Sequence, residues 1–439
     1  MLIHSASQLL TLAGGPQRGH ALGTLGLIED GAVLVRDRMI MAVGSTPDLL
    51  KDYPDEPNLN ASGCAIMPGF VDPHTHIIWA GDRAAEFERK MAGAKYLEIL
   101  AAGGGILSTV RQTRAASIGK LMDETRPRLQ SMFAHGTTTT EAKTGYGLQI
   151  ETELRLLEAL LRLDAEGPLE LAPTFLGAHA IPPEYQDDPQ GYTDHLCSEM
   201  LPFIRRWWDS LPLDYARGRT LNANHQPPFV DVFCETGAFN LAQSRQILAK
   251  AKELGFPLKI HADEFDNLGG ASLAAELGAV SADHLVRTSD ADIAALAKSD
   301  TVAVSLPCTP FGLSENAYTP AHKILDADGL LALATDCNPG TAWCESMQFV
   351  IALACRTLKL TPAQAIAAAT INAAHAIHRA GRIGSIEPGK QADLLVLCVP
   401  DYRQVGYRFG TNLVKQVIKH GKVYKVETGY SFQEIEHER

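Results

Sequence analysis

Residues 65–76 read Ala-Ile-Met-Pro-Gly-Phe-Val-Asp-Pro-His-Thr-His, a short strand-like run that ends in two histidines one residue apart. Seven comparable runs follow: TTTTEA (137–142), LELAPTF (169–175), FVDVFC (229–234), PLKIHA (257–262), VSADHL (280–285), TVAVSLP (301–307) and LLALATD (330–336). Between them, stretches such as ETELRLLEALLRL (151–163) and AQSRQILAKAKELG (242–255) repeat apolar residues every three or four positions, the period of an amphipathic helix. Eight strand-then-helix units over about 320 residues predict an α/β fold, a (β/α)8 TIM barrel rather than a doubly wound sheet. No GxGxxG or Walker loop interrupts the pattern.

Outside this region the sequence changes character. GAVLVRDRMIMAVG (31–44) places two apolar runs around Arg36-Asp37-Arg38, and ADLLVLCV (392–399) precedes VKQVIKHGKVYKV (414–426), which turns at His420-Gly421. These are hairpin patterns, and neither end has enough strands to stand alone. The termini are therefore expected to meet in one small composite β-sandwich domain, 1–64 with 386–439, leaving 65–385 to the barrel.

The chain has 439 residues, 46% hydrophobic and 21% charged, which excludes disorder and coiled coil as descriptions of the whole. With 39 basic against 51 acidic residues the net charge of −12 argues against nucleic acid or an anionic membrane surface as partner, and for a small molecule. MLIHSASQLLTLAGG at the start has no basic leader region, and no apolar run approaches the roughly 20 residues of a membrane span, so a soluble cytoplasmic protein is expected. The eight cysteines form no CxxC pair, in keeping with free thiols in a reducing compartment.

In a barrel of this kind reactive residues gather where each strand ends. The first predicted strand runs into Asp72-Pro73-His74-Thr75-His76, the fifth ends in His261, the sixth in His284 and the eighth in Asp336. One histidine among 15 carries no weight, but four agreeing strand ends do. Alternate residues of an extended segment share a side, so His74 and His76 can reach one ion. Three imidazoles with a carboxylate, His74, His76, His261 and Asp336, suit zinc or iron with a position left for water, and hence hydrolysis. His284 is read as polarising a carbonyl rather than as a fourth nitrogen ligand. A second metal would want a bridging ligand at the end of the fourth strand, where Cys234 and Glu235 stand, so one metal is expected. Around the same rim lie Arg83, a candidate clamp for a substrate carboxylate, Tyr146 and His179 as hydrogen-bond donors, and Glu264 for proton handling. Gly103-Gly104-Gly105 reads as a lid or backbone contact rather than a phosphate cradle.

PGFVDPHTH, ATDCNPG and IGSIEPGKQADLLVL resemble the amidohydrolase superfamily of metal-dependent hydrolases. HTHIIWAGDRAAEFERKMAGAKYLEI, GGGILSTVRQTRAAS, TTTTEAKTGYGL, TFLGAHAIPPEY, DVFCETGAF, KIHADEF, SADHL and ATDCNPGT, in order along the chain, narrow the resemblance to the imidazolonepropionase family of histidine degradation. It implies hydrolysis of the cyclic amide of 4-imidazolone-5-propionate to N-formimidoyl-glutamate, with one zinc or iron on His74, His76, His261 and Asp336. It further implies that Arg83 holds the propionate carboxylate, that Tyr146 and His179 contact substrate, and that Glu264, His284, Asn338, Gly340 and Thr341 complete the pocket in a homodimer. On this reading Asp336 accepts the proton of the attacking water, His284 steadies the oxyanion, and Asp336 or Glu264 protonates the leaving nitrogen. Two departures stand out: Thr144 where the family usually has serine, and the stretch 205–228 with Trp207 and Trp208, read as a packed surface insertion. The rival readings are another amidohydrolase, such as a purine or pyrimidine deaminase, and a barrel kept as a scaffold without catalysis.

Overall fold

The computed structural model describes residues 1–93, 104–212, 226–427 and 432–435. Five strands come from the N-terminal part, β1 (Leu2–Leu10), β2 (Leu27–Arg36), β3 (Met39–Ser45), β4 (Asn58–Asn60) and β5 (Ala65–Pro68). Eight follow in the middle, β6 (Phe70–Asp72), β7 (Thr137–Lys143), β8 (Glu170–Ala178), β9 (Phe229–Cys234), β10 (Lys259–Ala262), β11 (Ser281–His284), β12 (Val302–Ser305) and β13 (Leu331–Leu333). The last four are β14 (Leu394–Leu397), β15 (Val414–Lys419), β16 (Lys422–Val426) and β17 (Phe432–Ile435).

Strands β6 to β13 pair in sequence order, all parallel, with helices between them. Just past the strand ends, a parallel bridge between Thr75 and Cys337 joins the first staves to the last. The (β/α)8 barrel is thus formed by the runs expected to form it, most of them a few residues shorter. Such strands are buried on both faces, and all seven residues of β7 are inaccessible.

The remaining strands form one mixed sheet in the order β17-β16-β15-β14-β5-β1-β2-β3, with β4 on β1, so the two ends of the chain do meet. β14 runs antiparallel to β5 and β1 parallel to it. Both hairpins turn tightly: Arg36 pairs with Met39 across Asp37 and Arg38 (φ 45° and 72°), and Lys419 with Lys422 across His420 and Gly421 (φ 52° and 75°). Consecutive left-handed residues give the twist that two-residue hairpins need. β17, which pairs with β16, has no counterpart in the sequence reading.

The stretch 65–72 is divided between the two sheets. Ala65–Pro68 belongs to the composite sheet and Phe70–Asp72 to the barrel. Gly69 sits at the junction, where a Cβ would lie 2.4 Å from both Oγ1 and Cγ2 of Thr138, so only glycine lets the chain pass β7 this closely.

A buried ionic cluster ties the domains together. Glu170, at the start of β8, accepts from Lys419 Nζ (2.6 Å), Gln391 Nε2 (2.9 Å), Arg379 Nη1 (3.3 Å) and Arg382, with His420 Nε2 at 3.2 Å. Asp393 shares Lys419 at 2.7 Å. These cations hold the Glu170 carboxyl well below its usual range against the opposing effect of burial.

Candidate metal centre

His74 and His76 follow β6, His261 lies in β10, and Asp336 follows β13. Their donor atoms converge. His76 Nε2 is 3.3 Å from Nε2 of both His74 and His261, and Asp336 Oδ1 is 3.5 Å from Nε2 of both His74 and His76. A tetrahedral cation with bonds of about 2.0–2.1 Å separates its ligand atoms by roughly 3.3–3.4 Å, so the spacing fits a shared ion. Asp336 Oδ1 is buried without a hydrogen-bond partner, while its Oδ2 accepts the Thr309 hydroxyl. Burial, then neighbouring charges, pushes the His74 and His76 imidazoles well below their usual range, which leaves them neutral and able to donate lone pairs. Burial also raises the Asp336 carboxyl to about 6.

His284, the last residue of β11, is brought to the same place. One of its ring nitrogens lies within 4.8 Å of ligand atoms of His74 and His261, and neither nitrogen has a hydrogen-bond partner. Its backbone φ is 79° and that of Asp336 is 57°, left-handed values that non-glycine residues adopt at a cost and that turn both side chains at strand ends. Glu264 Oε2 is 3.7 Å from His284 Nε2. Burial, reinforced by Asp336, Glu235 and Glu315, raises the Glu264 carboxyl well above its usual range.

The His179 ring stacks on His76, with centroids 4.8 Å apart and planes at 15°. Its Nδ1 is 3.0 Å from the Gly145 carbonyl and is satisfied as a donor. Tyr146 lies 5.3 Å from His179 and 6.0 Å from His76 between ring centres, its phenol kept protonated first by burial and then by the charge of Asp336. The Thr144 hydroxyl accepts from Leu176 N at 3.0 Å, a backbone task that serine can also perform.

Arg83 reaches this rim. Its guanidinium lies so close to Gly340 that a Cβ there would be 2.4 Å from Nη1. Nε and Nη2 are paired with Glu86, whose Oε2 also accepts from Gly105 N at 2.9 Å, so Glu86 links the arginine to the glycine segment. Gly103 and residues 213–225 lie outside the described residues. Asn338 serves its own loop: Oδ1 accepts from the backbone N–H of Gly340 and Thr341, each at 2.8 Å, and Nδ2 donates to Asp336 O at 2.7 Å. It shapes the turn that carries Gly340 and Thr341. Glu235 binds the N–H groups of Phe265 and Asp266 at 2.9 and 3.2 Å and belongs to none of the metal-ligand groupings found among the described residues. Trp208 is buried against Leu161 on the outer helices.

The sequence reading missed a polar layer behind the ligands. His74 Nδ1 is 2.6 Å from Asp283 Oδ2, and His261 Nδ1 is 3.0 Å from Asp231 Oδ2, off the line of a straight hydrogen bond. Lys143 Nζ joins Asp231 at 2.8 Å and Glu141 at 2.7 Å. A charged residue inside an otherwise apolar barrel strand, as in FVDVFC, is the signal that would have found them.

The amidohydrolase family matches residues 235–424, and an imidazolonepropionase-like composite domain of bacteria matches residues 31–55. The chain is 51% identical to an imidazolonepropionase of Herpetosiphon aurantiacus over 97% of each sequence. With the enzyme of that name from Chloroflexus aggregans it shares 49% identity over 96% of this chain and 98% of the other. Among solved structures, 5-methylcytosine deaminase from Klebsiella pneumoniae superposes with a TM-score of 0.70 at 16% identity, covering 100% of this chain and 99% of that one. A zinc-bound adenosine deaminase from Xanthomonas campestris gives 0.66 at 21%, covering 97% and 92%. The two structures share the fold.

Proposed function

The chain belongs to the imidazolonepropionase family, and from that premise we propose how it hydrolyses the ring C–N bond of 4-imidazolone-5-propionate to N-formimidoyl-L-glutamate in histidine degradation. His74, His76, His261 and Asp336 hold one ion, zinc or iron, and the observation that carries this is the gathering of donor atoms around His76, whose Nε2 is 3.3 Å from Nε2 of both His74 and His261 and 3.5 Å from Asp336 Oδ1. When bound, such an ion supplies Lewis acidity for activating water and the ring carbonyl.

The remaining work falls to side chains. Arg83 binds the propionate carboxylate with its fork, and the Gly340 backbone leaves room for the guanidinium. Tyr146 and His179 orient the ring, and Asn338 holds Gly340 and Thr341 in the pocket wall. Asp336 takes the proton of the attacking water. His284, neither of whose ring nitrogens has a hydrogen-bond partner, steadies the developing oxyanion. Glu264, buried beside His284 with its carboxyl raised by burial, supplies a proton to the leaving nitrogen. The family reading extends to a homodimer in the cytoplasm, in keeping with eight cysteines that are all unpaired; no described helix is long and apolar enough to cross a membrane.

Turnover of imidazolone propionate beside simple lactams and hydantoins tests this reading. Formation of N-formimidoyl-glutamate without ammonia supports it. Ammonia release from an aminated purine or pyrimidine, with no turnover of imidazolone propionate, overturns it.

A further inference from the structure

Behind the ligand atoms, Lys143, Glu141, Asp231 and Asp283 are completely buried, and the chemistry above uses none of them. Each carboxylate controls a part of the ligand set. Asp283 Oδ2 is 2.6 Å from His74 Nδ1, and Asp231 Oδ2 is 3.0 Å from His261 Nδ1. Glu141 Oε2 accepts from Thr75 N at 3.1 Å, which fixes the peptide between His74 and His76. The three carboxylates meet at one ammonium: Lys143 Nζ is 2.7 Å from Glu141, 2.8 Å from Asp231 and 3.8 Å from Asp283. Lys259 is also 3.8 Å from Asp283, but its Nζ donates to the carbonyls of Pro73 and Ala376, each at 3.2 Å.

Resting on the reading that this cluster holds a metal, we infer that Lys143 is a positioning residue of the site, the buried cation that anchors Glu141 and Asp231 directly and flanks Asp283 together with Lys259, and so sets the His74 and His261 imidazoles and the Thr75 peptide between His74 and His76. Buried carboxylates keep one orientation only where a donor holds them, and a carboxylate fixed at Nδ1 fixes the ring whose Nε2 faces the shared centre. Remove the ammonium and Glu141 and Asp231 lose the donor that holds them, and the imidazoles lose their common aim. His76 depends least on this arrangement, because it has no partner at Nδ1 and is held by its stack on His179.

The test is Lys143→Met in the full-length enzyme, with zinc affinity measured by competition against a chromophoric chelator and the ligand-field spectrum recorded on the cobalt(II) form. Zinc should bind 10- to 100-fold more weakly, the range found when such supporting partners are lost, and the cobalt bands should change intensity. Combined with Asp283→Asn, the two losses should fall well short of additive. A folded Lys143→Met protein with unchanged zinc affinity and cobalt spectrum, altered only in Tm, overturns the inference. Should Lys143→Met not fold, Asp283→Asn and Asp231→Asn carry the same expectation, and unchanged affinity in both overturns it. A wild-type protein that binds neither metal refutes the metal reading itself, an outcome distinct from these.

Discussion

Gly340→Ala is the most discriminating substitution for substrate recognition. A Cβ at this position would stand 2.4 Å from Arg83 Nη1 and 3.4 Å from Cζ. An ordinary contact is about 3.5 Å, so the guanidinium must retreat by roughly 1 Å. Nη1 is the far end of a flexible side chain and Gly340 is not among the left-handed glycines, so the fold accommodates the methyl easily. Loss of backbone freedom in the unfolded chain even predicts a slight rise in Tm, of the kind seen for compatible Gly→Ala changes worth about 0.4–1 kcal/mol. Recognition is different. A hydrogen bond to a charged group contributes about 1.5–3 kcal/mol, so a misplaced fork should raise KM by roughly 10- to 150-fold while kcat changes less. The assay is steady-state kinetics on imidazolone propionate and on its methyl ester, which lacks the carboxylate charge. Wild type should strongly prefer the acid and Gly340→Ala should lose most of that preference. Unchanged KM for the acid would show that Arg83 does not grip the carboxylate.

His284→Ala should lower kcat by about 10²-fold or more with the metal retained, as measured by metal analysis beside kinetics; loss of the metal would make His284 a ligand. Glu264→Gln should lower kcat by about 10²- to 10⁴-fold with KM little changed, and undiminished turnover would remove Glu264 from proton transfer. Glu170→Gln leaves Lys419, Arg379 and Arg382 without their shared anion, a buried loss of about 3–5 kcal/mol. At about 2.1 cal/mol/K per residue this is a fall in Tm of roughly 3–5 °C if the chain unfolds as one, read by calorimetry. Because the Glu170 carboxyl is lowered in the folded state, its stabilisation is present above the unfolded value of about 4.3 and lost as pH falls. The Tm gap between wild type and Glu170→Gln should therefore hold from pH 7 to about 5 and narrow progressively as pH falls below about 4, toward the lowered folded-state value.

Much of this was legible in the chain. Strand ends carrying His74, His76, His261, His284 and Asp336 are visible because barrel strands are short and their chemistry sits at a fixed end. The meeting of the termini was legible from hairpin patterns too few to stand alone. What escaped were contacts between strands distant in sequence. Nothing near Lys143 says that Asp231 and Asp283 will face it, since interior register emerges only when the staves close. The division of 65–72 at Gly69 was hidden for a similar reason: both halves are apolar, and only the approach of Thr138 reveals the glycine's role.

That division bears on the order in which the protein can be made. Ile66 pairs with Val396, and two residues beyond the resulting sheet the chain enters the stave that leads to His74 and His76. Bringing these distant segments together carries a loop-closure cost that is offset only once the late strand exists. During synthesis the strand that brackets β5 on one side leaves the ribosome long after the histidines do. A nascent chain that has passed Asp336 but stops short of β14 therefore carries His74, His76, His261 and Asp336 with the root of the first stave half-paired. The first stave is in this way anchored from both sides only when translation is nearly finished.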